Sequence, residues 1–452
     1  MVRRILRLLR ALPITHRPVY LGYVVVLLTL AATLSFIDRQ ILNVMIGPIK
    51  RDLGGLSDTE ISLIIGLAFS LVYSLATWPL ARLADRSSRR NIIVAGIFCW
   101  SAMTALAGLA NSFWQLFGAR MGVGIGEASL GPANQSLLAD YFEASRLPLA
   151  YGIVGTAPFI GTGIANIVGG PLIDYLEARP NFSLPLFGEV YSWQMVLVVV
   201  GLPGLLLAAL MFTVREPKRT GLGGAAYPHG YPLKEVFDFV RERARYLTLH
   251  FIAYLCLSIQ GFAFLTWIVE FFVRKHGWTK TEIGLSYGFI ALFIGIAGSV
   301  WAGFYAGRML ARQRADATMR LCLWGTIVLG PLAVLMPLLS DAHWALALIV
   351  PITFCMSMPP GLSSAALQAI APNQMRGQMI ALYLICVSFI SYLVAPLIIA
   401  VMNDYIFGRE DAIDLSLAWL ALFNYSIAAV CLAFALKPLR RAIEQARAWQ
   451  QV

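Results

Sequence analysis

Residues 59–90 read TEISLIIGLAFSLVYSLATWPLARLADRSSRR and contain the two signals that decide the fold. The apolar part, 59–81, is long enough to cross a hydrocarbon layer about 30 Å thick as a helix. The part that follows carries four arginines and only one aspartate, which is typical of a loop on the cytoplasmic side of a membrane. The stretch therefore predicts a membrane helix that ends in a basic inner turn.

The same pattern recurs along the chain. Of the 452 residues, 59% are hydrophobic and 13% charged, whereas soluble domains carry about 25% charged residues. This composition excludes a water-soluble enzyme and a disordered chain. Long apolar runs must be helical because lipid cannot hydrogen-bond an open strand edge. We therefore predict an all-α membrane protein whose twelve transmembrane helices form two pseudo-symmetric six-helix bundles. The runs are 19–46, 59–81, 91–110, 114–139, 148–172, 191–214, 248–273, 282–307, 318–338, 344–370, 378–402 and 416–436.

The distribution of positive charge predicts the orientation. With the N-terminus inside, 26 of the 35 Lys and Arg residues fall on the inner side and 7 on the outer side. We expect a multi-pass protein of the inner membrane with both termini cytoplasmic. The net charge of +11 then reflects membrane topology, so a nucleic-acid partner is not expected.

Five segments are predicted from these patterns. Residues 1–18 form a basic amphipathic segment, for which a cleavable signal peptide is the alternative. Two six-helix bundles, 19–214 and 248–436, flank a cytoplasmic linker, 215–247. A basic cytoplasmic tail follows, 437–452.

Small residues at four-residue spacing predict close helix contacts within these bundles. One stripe contains Gly161, Ala165 and Gly169. The other contains Gly295, Ser299, Gly303 and Gly307.

Four ionisable residues lie inside predicted spans of the first half, where a charge costs roughly 2.5–3.5 kcal/mol on insertion scales. They are Asp38, Arg39, Arg120 and Glu127. Asp38 and Arg120 lie at similar depth, so a pairing of Arg120 with Asp38, or with the backbone of its neighbour, is geometrically reasonable. Glu127 follows Arg120 by two turns and lies near the midplane, where burial and a nearby arginine have opposite effects on proton binding. The alternative is a static ion pair that only joins helices. In the second half, only Glu270 lies near a span, and we interpret it as interfacial.

The inner loop resembles the pattern G-x-L-A-D-R-x-G-R-[RK] of the major facilitator transporters, with Ala81 and Ser88 in place of both glycines. SFIDRQ in span 1 and ARMGVGIGEASLGPANQ in span 4 resemble the spinster branch of that superfamily, whose known substrates are lysolipids and sphingosine phosphate. The resemblance implies that Asp38 and Glu127 couple protons and that Arg39 and Arg120 contact the substrate head group. It also implies a cytoplasmic gate, formed by Asp85, Arg86, Arg89 and Arg90.

The sequence therefore predicts a proton-coupled transporter of a small amphiphilic or lipid substrate, surrounded by membrane lipids and monomeric. The coupling ion is the proton, and no cofactor or metal site is expected. Three other functions remain open: a drug/proton antiporter, for which Gly155, Pro158, Gly161 and Gly163 match part of a span 5 signature, a membrane-embedded enzyme and a channel. Six apolar residues of the second half are candidates to line the cavity, and ordinary packing is the alternative for each of them: Phe264, Trp267, Tyr287, Met356, Met358 and Tyr392.

Overall fold

The computed structural model describes residues 18–143, 146–179, 182–184, 188–217, 233–372 and 375–449. Residues 1–17 of the predicted amphipathic segment lie outside this part. The first half is helical apart from one antiparallel hairpin, Phe182–Leu184 with Gly188–Val190. Its α-helices are Pro18–Val44, Ile46–Asp52, Asp58–Ser62, Phe69–Arg86, Arg89–Ala107, Phe113–Ala128, Leu130–Tyr141, Leu147–Val154, Ala157–Glu177 and Ser192–Met211, and Leu63–Ala68 is a π-helix.

In the described part of the second half, all regular secondary structure is helical. Its α-helices are Leu233–Glu242, Ala244–His276, Lys280–Phe289, Gly295–Ala311, Ala317–Leu338, Ala342–Met356, Pro359–Ile370, Arg376–Tyr383, Ile390–Val401 and Ile413–Trp449. Three π-helices, Ile290–Ile294, Leu384–Phe389 and Met402–Phe407, and one 3-10 helix, Glu410–Ala412, complete it.

Twelve spans follow from these helices. In the described residues, eleven helical stretches are long and apolar enough to cross a membrane. The remaining span, the fourth, consists of Phe113–Ala128 and Leu130–Tyr141, which meet at Ser129. It is separated from span 3 because Ser112 caps its first turn, with the Ser112 side chain accepting a hydrogen bond from the Gln115 N–H. The predicted all-α fold with twelve spans is confirmed.

The chain forms two compact units. One contains Met1–Leu56 and Leu63–Gly223, and the other contains Ser57–Ser62 and Gly224–Val452. The linker predicted at 215–247 contains the helix Leu233–Glu242, and the residues predicted as a tail continue the last helix to Trp449.

Glycines place the helices of the first unit close together. A Cβ added at Gly161 would lie 2.5 Å from the Phe36 Cβ, and one at Gly169 would overlap Ile41, so the predicted stripe does pack against span 1. The stripe predicted in span 8 is buried at Gly295 but wrong at Gly303 and Gly307, where an added Cβ meets no atom within 4 Å in the described structure. The buried face there is one residue out of register and contains Gly298, Ala302 and Ala306.

Candidate functional site

Four charged residues of the first unit, three of them buried and Arg39 half-buried, come from two helices. Asp38 and Arg39 lie on Pro18–Val44, and Arg120 and Glu127 lie on Phe113–Ala128. The fourth span packs closely at two of its glycines, which face the backbones of other helices. A Cβ at Gly124 would lie 2.7 Å from the Phe69 carbonyl oxygen, and one at Gly126 would lie 2.6 Å from the backbone nitrogen of Trp100. The glycine-rich run thus serves helix packing, and it sets the position of Glu127.

Glu127 is held by two donors from span 1. The Arg39 Nε donates to the Glu127 Oε2 at 2.6 Å, and the Ser35 Oγ donates to the same oxygen at 2.6 Å. Ser35 and Arg39 are one turn apart, so both face the fourth span. The Glu127 side chain is 0% exposed and that of Arg39 11%. The carboxyl group therefore faces protein rather than lipid, beside a guanidinium that retains some exposure.

Asp38 and Arg120 complete the cluster. Each is 3% exposed, and both interact electrostatically with Glu127 and Arg39. A direct ion pair in this cluster joins Arg39 to Glu127, whereas the sequence suggested Asp38 with Arg120. Three buried atoms of this cluster have no hydrogen-bond partner within the described part of the chain: the Asp38 Oδ1, the Arg120 Nε and the Glu127 Oε1. Two acids and two arginines make the cluster neutral when all are ionised, and it retains capacity for further hydrogen bonds.

Aromatic rings surround the Arg39 guanidinium. Its Cζ lies 5.0 Å from the ring centroid of Phe36, 4.7 Å from Phe69 and 5.2 Å from Tyr73. The Arg120 Cζ lies 5.4 Å from the same Phe69 ring. Cations are attracted to the faces of aromatic rings at such distances, more strongly where water is excluded. Sequence analysis did not identify these rings, although Phe69 and Tyr73 lie one turn apart in span 2.

The predicted gate residues lie where span 2 ends and span 3 begins. Arg89 is 1% exposed, and its Nε donates to the Glu216 Oε1 at 2.7 Å. Its Nη1 also contacts Asp140. The Arg90 N–H donates to the Glu216 Oε2 at 2.9 Å, and Arg86 is exposed. The Asp85 side chain lies outside the described residues. The role of this network as a gate stays a prediction.

Glu216 is ionised more readily than an ordinary glutamate. Partial burial opposes its ionisation, but the Arg90 backbone N–H and the Arg89 guanidinium outweigh that effect. The pKa of Glu216 is therefore lowered from its usual value of 4.5.

The second unit contains a charge network that sequence analysis missed. The Arg274 Nη1 donates to the Asp58 Oδ2 at 2.7 Å, and its Nε donates to the Glu270 Oε2 at 3.1 Å. The Asn403 Nδ2 donates to Asp58 at 3.0 Å. Glu270 is 2% exposed, so its interpretation as an interfacial residue is corrected to a buried ion-pair partner. Its i,i+4 spacing to Arg274 was a usable signal, whereas nothing in the sequence indicated Asp58.

The residues predicted to line a cavity are mostly packed inside the second unit. Phe264, Trp267, Tyr287 and Met358 are at most 5% exposed. The Trp267 Nε1 donates to the Pro396 carbonyl oxygen at 3.1 Å. Met356 and Tyr392 are half-buried, and Tyr392 packs against Phe262. Their role in substrate binding stays a prediction.

Comparisons with known proteins agree with this architecture. The model of the Major Facilitator Superfamily matches residues 28–396. A protein of Mycolicibacterium smegmatis named as an MFS-type efflux pump is 27% identical over 96% of both chains. A probable galactarate/D-glucarate transporter of Bacillus subtilis is 26% identical over 74% of both chains.

Two solved structures share the fold over almost the whole chain. Both show a bacterial homologue of the human lysosomal transporter Spinster in inward-facing conformations. The unoccupied form has a TM-score of 0.78 and 24% identity, and it covers 94% of this chain and 98% of the other. The occupied form has a TM-score of 0.71 and 25% identity, and it covers 93% and 96%. The predicted likeness to the spinster branch is confirmed.

Proposed function

Since this chain belongs to the Major Facilitator Superfamily and is a multi-pass transporter rather than an enzyme, we propose that it couples proton movement to the transport of an amphiphilic, lipid-like substrate with an acidic head group. The observation that carries the proposal is the contact of Glu127 with Arg39 and Ser35 in a buried cluster of two acids and two arginines.

Charge balance in this cluster links the two ligands. A buried net charge is costly, and a neutral set of paired charges is favoured. Protonation of Glu127 leaves the cluster with one excess positive charge and weakens the ion pair between Glu127 and the Arg39 guanidinium. An anionic head group bound at Arg39 then restores neutrality. Proton and anion therefore promote each other's binding at this site, while a proton and a cation compete.

Arg39 and Arg120 suit an acidic head group. A guanidinium presents donors in a planar fork that matches carboxylate and phosphate oxygens. Arg39 is 11% exposed and can be reached, whereas Arg120 is buried and has a free Nε within the described structure. The lipid-like remainder of the substrate is proposed from the likeness to the spinster branch and is not given by the charge cluster.

The test is transport in proteoliposomes with an imposed pH gradient. We expect uptake of an anionic lysophospholipid to accelerate with the proton gradient. Glu127→Gln should retain binding but lose the response to the gradient, because a glutamine cannot exchange a proton. Glu444→Gln, a change at an exposed glutamate of the last helix, is the matched control and should behave as the wild type. A gradient response that persists in Glu127→Gln would remove this residue from the mechanism.

Arg120 tests the head-group assignment separately. Arg120→Ala should weaken the binding of an anionic lysolipid more than that of a neutral one with the same chain. Equal weakening of both would contradict a contact between Arg120 and the head group.

A second candidate is a drug/proton antiporter, which the name of the Mycolicibacterium smegmatis relative favours. The two functions predict opposite effects of protonation on the binding of the substrate. Acidification should strengthen the binding of an anionic lysolipid and weaken that of a lipophilic cation. Galactarate belongs in the same panel, because several relatives are named as transporters of sugar acids. Tight, acid-weakened binding of the cation alone would favour the antiporter.

A further inference from the structure

Spans 2 and 8 end in the same exposed motif. Span 2 carries Trp78, Arg82 and Arg86 at four-residue spacing. The same spacing, an aromatic residue followed by two arginines, recurs at the end of span 8 and its cap as Phe304-x3-Arg308-x3-Arg312. We call these two sets the aromatic–arginine stripes. Residues four apart lie on one helix face, so each set forms a continuous line.

Both stripes face away from the protein of their own unit. Trp78 is 64% exposed and Phe304 is 60% exposed, and all four arginines are exposed. The Arg82 Cζ lies 3.8 Å from the centre of the Trp78 ring, and the Arg308 Cζ lies 4.9 Å from that of Phe304. Among the residues whose side chains the structure describes, no carboxylate pairs with these arginines.

The order of residues along each helix matches the layers of a bilayer leaflet. Exposed apolar residues precede the aromatic one, namely Leu75 in span 2 and Trp301 in span 8. Tryptophan and other aromatic residues are preferred at the membrane interface, and arginines follow at the level of the head groups. At 1.5 Å per residue, the distance from the aromatic residue to the second arginine is about 12 Å.

We propose that the two aromatic–arginine stripes are binding sites for anionic phospholipids, one site at the inner end of span 2 and one at the inner end of span 8. The two arginines contact the phosphate, and the aromatic ring packs against the glycerol and the start of the acyl chains. Charge complementarity identifies the occupant: two guanidiniums in line, with no carboxylate partner among the described side chains, require an anion, and a stripe that begins among exposed apolar residues of a transmembrane span requires a lipid. The proposal does not depend on the transported substrate.

The test is lipid retention by the purified full-length protein, measured by native mass spectrometry with phosphatidylglycerol or phosphatidylcholine. We expect preferential retention of phosphatidylglycerol at two sites. An arginine near a membrane surface contributes about 1 kcal/mol, or roughly fivefold, so Arg82→Gln/Arg86→Gln should weaken one site roughly 25-fold. Arg308→Gln/Arg312→Gln should weaken the other to the same extent. The corresponding lysine variants should retain most binding, because they keep the charge.

Arg179 provides a matched control. It lies over Tyr175 at 3.8 Å, just after the end of span 5, but it has no second arginine four residues later. Arg179→Gln should leave phosphatidylglycerol retention unchanged. Equal loss in this variant, or undiminished retention when all four stripe arginines are replaced, would overturn the proposal. Inorganic phosphate or a poly-glutamate peptide that binds while phosphatidylglycerol does not would also overturn it, in favour of a soluble anion or an acidic protein segment.

Discussion

The contact between Arg39 and Glu127 can be tested by a double-mutant cycle that uses Arg39→Gln, Glu127→Gln and the double variant. The two groups are joined at 2.6 Å, and their side chains are 11% and 0% exposed. Each single change leaves the other charge buried without its direct partner. The double change removes both charges at once and leaves two amides of similar size.

The magnitude follows from burial and distance. Unit charges about 4 Å apart attract by about 4 kcal/mol at an effective dielectric constant of 20. Removing one partner of a buried pair costs about 3–5 kcal/mol, because the remaining charge stays desolvated. Ser35 can still donate to a glutamine at position 127, so we expect about 2–4 kcal/mol for each single variant. The loss in the free energy of unfolding should be about 2–4 kcal/mol smaller in the double variant than the sum of the losses in the two single variants.

The assay is the free energy of unfolding in detergent at pH 7.5, measured by intrinsic fluorescence. The matched control is the surface pair Arg51–Glu177, which has a similar distance of 2.8 Å but side chains 66% and 25% exposed. Exposed pairs contribute at most about 1 kcal/mol, so the coupling there should be small. Additive effects at Arg39 and Glu127, or a coupling no larger than that of the surface pair, would refute the interpretation of a strongly coupled buried pair.

Three further changes test other parts of the structure. Phe69→Leu should destabilise the protein by about 2–4 kcal/mol, because it removes a ring that contacts both arginines of the site; Phe98→Leu, at a 59% exposed ring, should change the unfolding free energy little. Glu216→Gln should lower the unfolding temperature at pH 7.5 by an amount equivalent to about 1 kcal/mol. Because the pKa of Glu216 is lowered from 4.5, its stabilisation is present above that pH and lost as pH falls, so the difference from the wild type should vanish in acid scans below the folded-state pKa. Gly124→Ala should reduce stability and transport together, since its Cβ would lie 2.7 Å from a backbone oxygen, whereas Gly131→Ala, with no atom within 4 Å in the described structure, should have no effect on either.

Much of the fold was predictable because the lipid environment leaves few alternatives. Apolar runs of sufficient length specify helices, and charges within them are rare enough to stand out. Asp38, Arg39, Arg120 and Glu127 were therefore identified without a structure, and the structure brings all four into one cluster. Their pairing was not predictable, since depth in the membrane does not specify how two helices are rotated about their axes.

The features missed by the sequence analysis share a physical reason. Asp58 lies at the edge of an apolar run, where a carboxylate is normally solvated, and its contacts with Arg274 and Asn403 reveal a buried role. The close contact of span 8 was predicted at Gly303 and Gly307, on the wrong helix face. The spacing of small residues fits two neighbouring faces of this helix equally well. Alanine residues at 302 and 306 occupy the buried face instead. Small side chains thus indicate that a close contact exists but do not fix its register.

The π-helix Leu63–Ala68 determines which side chains in the later part of span 2 face Arg39. A π turn contains one residue more than an α turn, so every later side chain is rotated by about 100° compared with an uninterrupted α-helix. Phe69 directly follows this turn, and Tyr73 lies one turn further. Converting this turn to an α turn at constant chain length would rotate both rings away from Arg39, whereas deleting one residue between 63 and 68 as well would keep both rings in place. In this helix the phase of the turns, as much as the identity of the side chains, determines what surrounds the guanidinium.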